Sequence, residues 1–337
     1  MSWYNENGPK SEVVVSTRCR FARNLSSYKF PSKMTSDEAN RLIGEISDTF
    51  FNSNASFKDE FSLTKSNEVS REELLTLFEK HLISRDMIKN PLPSALLLNK
   101  DESVSIMLME EDHIRLQVIL PGYQTKEALK TASDFEKLLD GRFGFAKDEN
   151  LGYLTACPTN LGSGLRISAM LHLPALTMTK RIGHMLNSVG KLGLTIRGMY
   201  GEGTEARGCL YQLSNQVTLG MTDEEILTKV NSVIDQIVSI ETKLREDILK
   251  ANETEIKNRV MRAYGILKNS YSLTSEEAIG YLSDVRLGKA FGIIDTEYKN
   301  ISTLLVKGSP ACLISEEGLK EPDARDKRRA VLFKEIL

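Results

Sequence analysis

The sequence predicts an α+β protein in which helices cover a β-sheet and an all-helical region follows. Three observations lead to this fold class. Segments of alternating apolar and polar residues predict strands, most clearly over 113–120. From about residue 220, apolar residues recur at helical spacing and strand patterns cease. Capping boxes, each a Ser or Thr followed three residues later by Glu, mark helix starts at Thr35, Ser70, Thr222 and Thr274.

The strands follow one another along the first two thirds of the chain. Their patterns lie at 13–15, 95–98, 103–109, 113–120, 152–157, 192–199 and 209–213. In the clearest of them Ile114, Leu116 and Val118 face one way, while Arg115 and Gln117 face the other. One face of the sheet is therefore expected to be core, and the other is available for chemistry.

Composition excludes several classes of function. The 337 residues are 41% hydrophobic, and 44 basic residues nearly balance 46 acidic ones, so no general binding to nucleic acid or to an anionic membrane is expected. No apolar run approaches the roughly 20 residues of a membrane span, and the N-terminus does not read as a secretory signal. Four scattered cysteines predict neither disulfides nor a zinc site. A cytoplasmic protein fits best.

Arginines follow the first strand pattern. If that strand continues through Ser16, Thr17, Arg18, Cys19 and Arg20, the two guanidiniums point to the same side. Neighbouring cations favour an anion between them, and a polyphosphate suits their forked donors. The alternative is a solvated edge strand with salt bridges.

An acidic turn precedes the clearest strand. Glu110, Glu111 and Asp112 repel one another, so one of them could take a raised pKa and act as a general base. A metal site lacks ligands at suitable spacing, and a plain acidic turn is the alternative.

Two glycine-containing loops complete the set. A strand is expected to end at Cys157, from which a loop leads to a helix carrying Arg166, although a lone cysteine is more often a small buried hydrophobe. The second loop, 197–205, offers Arg197, Glu202 and Glu205. Together these four segments could hold nucleotide phosphates and grip a cationic substrate.

The motifs S-T-R-x-R-x-x-R, E-E-D-H-x-R, C-P-T-N-x-G-x-x-x-R and R-G-x-x-G-E, in this order, resemble those of the phosphagen (guanidino) kinase family over about residues 13–220. YGEGTEARG, LYQLSNQVTLG and YLSDVRLG are similar to segments of its bacterial protein-arginine kinase branch. The resemblance implies a largely antiparallel sheet flanked by helices. It also implies a flexible segment over 1–12, a catalytic domain over 13–240 and a helical C-terminal domain over 241–337. Two departures are Met109, where the family usually has Asn, and Tyr200, where arginine kinases often have Arg.

The resemblance also implies an activity: phosphoryl transfer from ATP, with Mg²⁺ held by the nucleotide, to arginine side chains of proteins. Glu111, Glu202, Cys157 and Arg197 would be catalytic. Nucleotide contacts would come from Ser16, Thr17, Arg18, Cys19, Arg20, His81, Arg115, Arg166, Ile167, Ser168, Ala169, Met170, Arg197, Gly198, Met199, Tyr200, Gly201 and Glu202.

A C-terminal R-D-x-x-R-A element resembles one implicated in phosphoarginine recognition, and it would place Arg325, Asp326, Arg329 and Ala330 in an allosteric site. By itself such a charge run is usually a solvated helix. The resemblance further implies a homodimer, an McsA-like activator, a CtsR-like repressor and the ClpC–ClpP protease as partners, with regulated proteolysis as the outcome. Two alternatives stay open, a kinase for free arginine and a non-catalytic adaptor.

Overall fold

The structure is a computed structural model that describes residues 2–52, 58–198 and 206–337. Its centre is an eight-stranded sheet in the order β2-β3-β4-β5-β1-β8-β10-β9, and every neighbouring pair is antiparallel. A separate two-stranded hairpin joins β6 and β7. The strands are β1 Val14–Arg23, β2 Phe61–Lys65, β3 Ala95–Asn99, β4 Val104–Leu108, β5 Ile114–Pro121, β6 Lys147–Asp148, β7 Gly152–Tyr153, β8 Leu165–His172, β9 Leu194–Gly198 and β10 Leu210–Asn215.

Helices pack against both faces of this sheet and form the C-terminal region. They are α1 Ser36–Phe51, α2 Arg71–Glu79, α3 Arg85–Lys89, α4 Thr125–Phe143, α5 Pro174–Met178, α6 Ile182–Lys191, α7 Asp223–Ala251, α8 Glu253–Asn269, α9 Ser275–Ala290, α10 Tyr298–Lys307, α11 Pro310–Glu317 and α12 Pro322–Ile336. Apolar residues of α1, α4 and α7 pack on the sheet in the main core. The predicted α+β fold with an antiparallel sheet is confirmed.

All four predicted capping boxes begin helices in the structure, those of α1, α2, α7 and α9. In each, the Ser or Thr side chain accepts from the backbone N–H three residues on, and the Glu side chain accepts from the capping residue's own N–H. These bonds satisfy donors that the first helical turn leaves without partners.

The strand β1 decides which side chains face the core. Cys19 and Phe21 are buried beneath the helices, whereas Arg18 and Arg20 alternate with them and lie on the opposite face. The predicted continuation of the first strand is correct. It extends over ten residues, through both arginines.

The domain boundary placed at residue 240 falls inside α7, which is continuous from Asp223 to Ala251. Leu244, four residues beyond that boundary, still packs in the main core, and the C-terminal core begins at Ile256. The break lies at Asn252, which ends α7 and precedes α8.

The segment 1–12, expected to be flexible, is packed where the structure describes it. Trp3 is only 2% exposed, and its indole N–H donates to the Lys80 carbonyl over 3.0 Å. Tyr4 is also buried, and both rings join a core with Val306 and Cys312 of the C-terminal helices. The N-terminal segment thus connects the sheet to the C-terminal region.

No helix among the described residues is long and apolar enough to cross a bilayer.

Candidate active site

The face of the sheet opposite α1, α4 and α7 forms the floor of a cavity of about 230 Å³. Five arginines that the sequence predicts to act together all line it: Arg18, Arg20, Arg115, Arg166 and Arg197. Each comes from a strand, on β1, β5, β8 or β9. The cavity is therefore built on rigid elements, which hold long cationic side chains more firmly than loops would.

Arg166 lies on a strand, so the prediction that it sits on a helix is wrong. The residue is directly opposite Arg20 in the antiparallel pairing of β1 and β8. The strand predicted over 152–157 is likewise shorter, because β7 ends at Tyr153. The glycine-containing stretch 161–164 leads into a strand, and the pairing with β1 fixes its register.

The arginines repel one another. Burial, and then the charges of Arg115 and Arg166, lower the pKa of Arg18 to about 9. Burial and the neighbouring arginines also lower the pKa of Arg20 well below its usual value, and the buried Nε of Arg20 has no hydrogen-bond partner among the described residues. An anion between these side chains would relieve the repulsion and satisfy the Nε donor, so a polyphosphate fits the cavity.

One carboxylate is already committed within this cluster. Glu110 is buried and accepts from Arg115 over 2.6 Å, and the Ser84 hydroxyl also donates to Glu110. Burial raises the pKa of Glu110, but Arg115 and the hydrogen bonds outweigh it and leave the pKa below its usual value. Glu110 is thus an ionised partner that orients Arg115.

A second, smaller cavity adjoins the first and carries the acidic group. Glu110, Glu111 and Asp112 line it together with Asn160 and Gly164. Glu111 is half-buried, and burial followed by the charges of Asp112 and Glu110 raises the pKa of Glu111. A carboxylate with a raised pKa can take a proton from a bound cation more readily than an ordinary glutamate. The two cavities share three wall residues, Arg20, Arg115 and Arg166.

Asp112 and His113 hold the surroundings of Glu111 in place. Asp112 Oδ1 accepts from the Asn24 side chain over 2.5 Å and from the Ala156 N–H over 2.6 Å. His113 is fully buried, and its Nδ1 accepts from the Leu25 N–H over 3.0 Å. The bond to Ala156 ties the segment before Cys157 to the turn that carries Glu111.

Cys157 is half-buried, and its Sγ lies 3.0 Å from the Thr159 hydroxyl. It stands at the start of the loop that reaches the acidic cavity through Asn160 and Gly164.

The remaining predicted nucleotide contacts divide by strand face. Ser16, Ser168, Met170 and His81 line a small cavity beside the first. Burial, and then Arg18, lower the pKa of His81 to about 3, so its imidazole is neutral near pH 7. Gly198 ends β9 beside Arg197. Four others are buried on the face covered by α1, α4 and α7, where their side chains cannot reach a nucleotide in the arginine cavity: Thr17, Cys19, Ile167 and Ala169.

The structure does not describe five of the predicted residues, all in the second loop. Met199, Tyr200, Gly201, Glu202 and Glu205 fall outside the described residues.

The C-terminal element is partly buried. Arg329 is 1% exposed and donates to Asp326 over 2.5 Å and to the carbonyls of Gly308 and Leu273. Ala330 is also buried, and Arg325 donates to the Leu319 carbonyl over 3.3 Å. Arg325 and Arg329 thus have different partners in this structure, and Arg329 is engaged inside the fold.

Sequence reasoning missed several lining residues. Phe78, Ser84, Arg85 and Asp86 bring the α2–α3 region over the arginine cavity, and the strands add Gln117, Gln212 and Ser214. Side chains alternate between the two faces along β5 and β10, which places both glutamines on the polar face. This alternation is the sequence signal that could have identified them as lining residues.

Comparisons with known proteins agree with this architecture. Residues 42–244 match the family "ATP:guanido phosphotransferase, C-terminal catalytic domain", and residues 253–337 match "Protein-arginine kinase McsB C-terminal domain". The chain is 41% identical to a protein-arginine kinase of Bacillus subtilis (strain 168), covering 100% of this chain and 93% of that protein. It is 43% identical to one of Halothermothrix orenii, covering 98% and 95%.

Solved structures show the same fold. A lombricine kinase matches with a TM-score of 0.62 at 21% identity, covering 73% of this chain and 69% of that one. The duplicated taurocyamine kinase from Schistosoma mansoni with bound transition-state analogue components matches with a TM-score of 0.63 at 25% identity, covering 79% and 38%.

Proposed function

The chain belongs to the protein-arginine kinases of the ATP:guanido phosphotransferase family, and from this membership we propose how its two cavities divide the reaction. The enzyme transfers the γ-phosphoryl group of ATP to arginine side chains of proteins. The arginine-lined cavity binds the ATP phosphates, and the acidic cavity binds the acceptor guanidinium. The observation that carries this proposal is the position of Arg20, Arg115 and Arg166. These three residues form a wall shared by the arginine-lined cavity and the acidic cavity.

The wall is suited to the transferring group. A guanidinium nitrogen of the acceptor attacks the γ-phosphorus, the bond to the β-phosphate oxygen breaks, and ADP leaves. Phosphoryl transfer depends mainly on in-line positioning and charge neutralisation. Because these arginines line both cavities, they can stabilise the charge of the phosphoryl group throughout its transfer without moving.

Glu111 is proposed to receive the acceptor's proton. A guanidinium has a pKa above 12 and is a poor nucleophile until it is oriented and loses a proton. The raised pKa of Glu111 strengthens it as a base. Glu202 is proposed as the second carboxylate, with Cys157 against the acceptor and Arg197 on the phosphates.

Mg²⁺ is proposed to be held by the nucleotide phosphates and water and to neutralise their charge. The described residues contain no group of three His, Cys, Asp or Glu that could hold a metal, and the cavity walls supply mainly cationic donors.

Further parts of the proposal rest on family membership alone. They are a cytoplasmic location, a homodimer, an McsA-like activator, a CtsR-like repressor and delivery of marked proteins to ClpC–ClpP. Phosphoarginine binding at the C-terminal element is proposed to require release of Arg329 from Asp326.

The decisive test incubates the protein with ATP, Mg²⁺ and a protein substrate and detects phosphoarginine by mass spectrometry without acid treatment. Wild type is expected to form it, and Glu111→Gln and Glu202→Gln are expected to reduce the rate by at least about 100-fold, since each removes a carboxylate from the acceptor. Glu255→Gln, on the exposed surface of α8, is the matched control and should keep the wild-type rate. Absence of phosphoarginine with wild type would contradict the proposal and favour the adaptor alternative.

A further inference from the structure

Exposed apolar side chains are concentrated at one end of the sheet. Nine large apolar residues in the described ranges are exposed. Four of them lie on segments linked to the loop from Cys157 to Gly164 or to one another, and we call these four the apolar rim: Leu151 (42% exposed), Leu192 (46%), Val217 (45%) and Leu219 (47%).

Hydrogen bonds fix one part of the rim to the loop. Thr218, between Val217 and Leu219, is buried, and its hydroxyl donates to the carbonyls of Thr159 over 3.0 Å and Leu161 over 2.7 Å. The same loop reaches the acidic cavity through Asn160 and Gly164. Two rim residues are thus attached directly to a wall of the acceptor site.

Of the other two rim residues, Leu192 adjoins the segment of Val217, and Leu151 adjoins the loop itself. Leu192 precedes Gly193, whose carbonyl accepts from the Gln216 N–H over 3.0 Å, one residue before Val217. Leu151 precedes Gly152, where a Cβ would lie 2.6 Å from the Gly162 carbonyl oxygen. With φ at +72°, Gly152 allows that close approach.

A protein acceptor carries chain on both sides of its target arginine. When its arginine side chain enters the acidic cavity, the residues on either side continue over the surrounding surface at about 3.3–3.6 Å per residue. A free guanidino compound has no such flanking chain. Apolar groups left in water at this position would be covered by apolar side chains of the acceptor.

We propose that the apolar rim binds apolar residues flanking the target arginine, so that the enzyme favours segments whose hydrophobic side chains are exposed. This inference rests on the proposed function, because it needs a protein acceptor in the acidic cavity. The rim adds selectivity around the arginine and leaves the chemistry at Glu111 unchanged.

The test compares two peptides, one with leucine and valine flanking a single arginine and one with serine at the same positions. The measured quantity is the ratio of kcat/KM for the two peptides, which is insensitive to the fraction of correctly folded enzyme. Wild type is expected to favour the apolar peptide about five- to tenfold, the effect of covering one or two apolar side chains. Val217→Ser and Leu219→Ser should bring the ratio close to one.

Met261→Ser, at an exposed residue of α8 (50%), is the matched control and should keep the wild-type ratio. A wild-type ratio near one, or an unchanged ratio in both rim variants, would overturn the inference while leaving the kinase activity intact. Should the rim variants instead abolish self-association without changing the ratio, the rim would be a surface between copies, which also overturns it. Failure of wild type on both peptides and on proteins would contradict the proposed function itself.

Discussion

At the scale of single residues, Glu110 and Glu111 are neighbours in sequence with opposite pKa shifts. Glu110 is paired with Arg115 and has a lowered pKa, whereas burial and adjacent carboxylates raise the pKa of Glu111. Environment alone separates a structural anion from a candidate base. Sequence placed both in an acidic turn, but their different partners follow from Ser84 and Arg115, which only the fold brings to Glu110.

The pH dependence of kcat/KM is expected to report Glu111. Because its pKa is raised above the usual 4.5, the proton remains bound to a higher pH, and the base form is lost earlier as pH falls. The acid limb should therefore lie above the pH expected of an exposed glutamate. Asp112→Asn removes one repelling charge and should shift this limb to lower pH. A limb that does not move in Asp112→Asn would argue against this assignment.

Cys157→Ser is expected to reduce kcat about tenfold while the KM for ATP changes less than about twofold, since Cys157 starts the loop that lines the acidic cavity and does not line the arginine cavity. Steady-state kinetics with varied ATP measure both quantities. Cys209→Ser, another half-buried thiol, is the control. An unchanged kcat would remove Cys157 from the mechanism.

At the scale of elements, the sequence predicts local features such as helix caps, but it does not predict which strands pair. The four capping boxes depend on residues three apart, so the sequence contains all that defines them. The opposition of Arg20 and Arg166 depends on the register between β1 and β8, whose residues are some 146 positions apart. The glycines before Leu165 suggested a helix start, although Leu165, Ile167, Ala169 and Leu171 alternate inward as in a strand.

The Cys157 loop is expected to depend on Asp112 for its position. Asp112→Ala leaves the Asn24 side chain and the Ala156 N–H without their acceptor, at a cost of about 1–3 kcal/mol each where buried. We expect the KM for the protein acceptor to rise about tenfold, with a smaller change for ATP, because the loop borders the acidic cavity. Asp112→Asn keeps an acceptor oxygen and should recover most of the loss. Equal rises in both KM values would indicate a disturbance that reaches both cavities, and so would contradict this prediction.

At the scale of the whole molecule, buried charges join the sheet, the N-terminal segment and the C-terminal helices. Glu241 on α7 accepts from the N–H groups of Ala175 and Leu176 and pairs with Arg245 over 2.8 Å. Arg245 also donates to the Glu12 carbonyl. His172 continues the connection through its Nε2, 2.9 Å from the Ser283 hydroxyl of α9. These contacts join residues far apart in the chain. A local sequence pattern therefore does not reveal that α7 continues past residue 240.

Trp3→Ala is expected to lower the free energy of unfolding by about 3–5 kcal/mol, because it removes a large buried ring and its bond to Lys80. Thermal and denaturant unfolding measure the change. Tyr271→Ala, at a 79% exposed ring, should alter stability by no more than about 0.5 kcal/mol. If the unfolding midpoint of Trp3→Ala equals that of wild type, this would contradict the packed arrangement of the N-terminal segment.

The burial of Trp3 also bears on how the protein is handled in the laboratory. A purification tag or fluorescent fusion joined directly ahead of residue 2 would begin one residue from a ring that contacts Tyr4 and His81. His81 lines the arginine cavity, so crowding at that end would reach the proposed nucleotide site. Leu337, beyond the last turn of α12, packs beside the C-terminal core and lines neither cavity, so a fusion attached there would avoid the proposed nucleotide site.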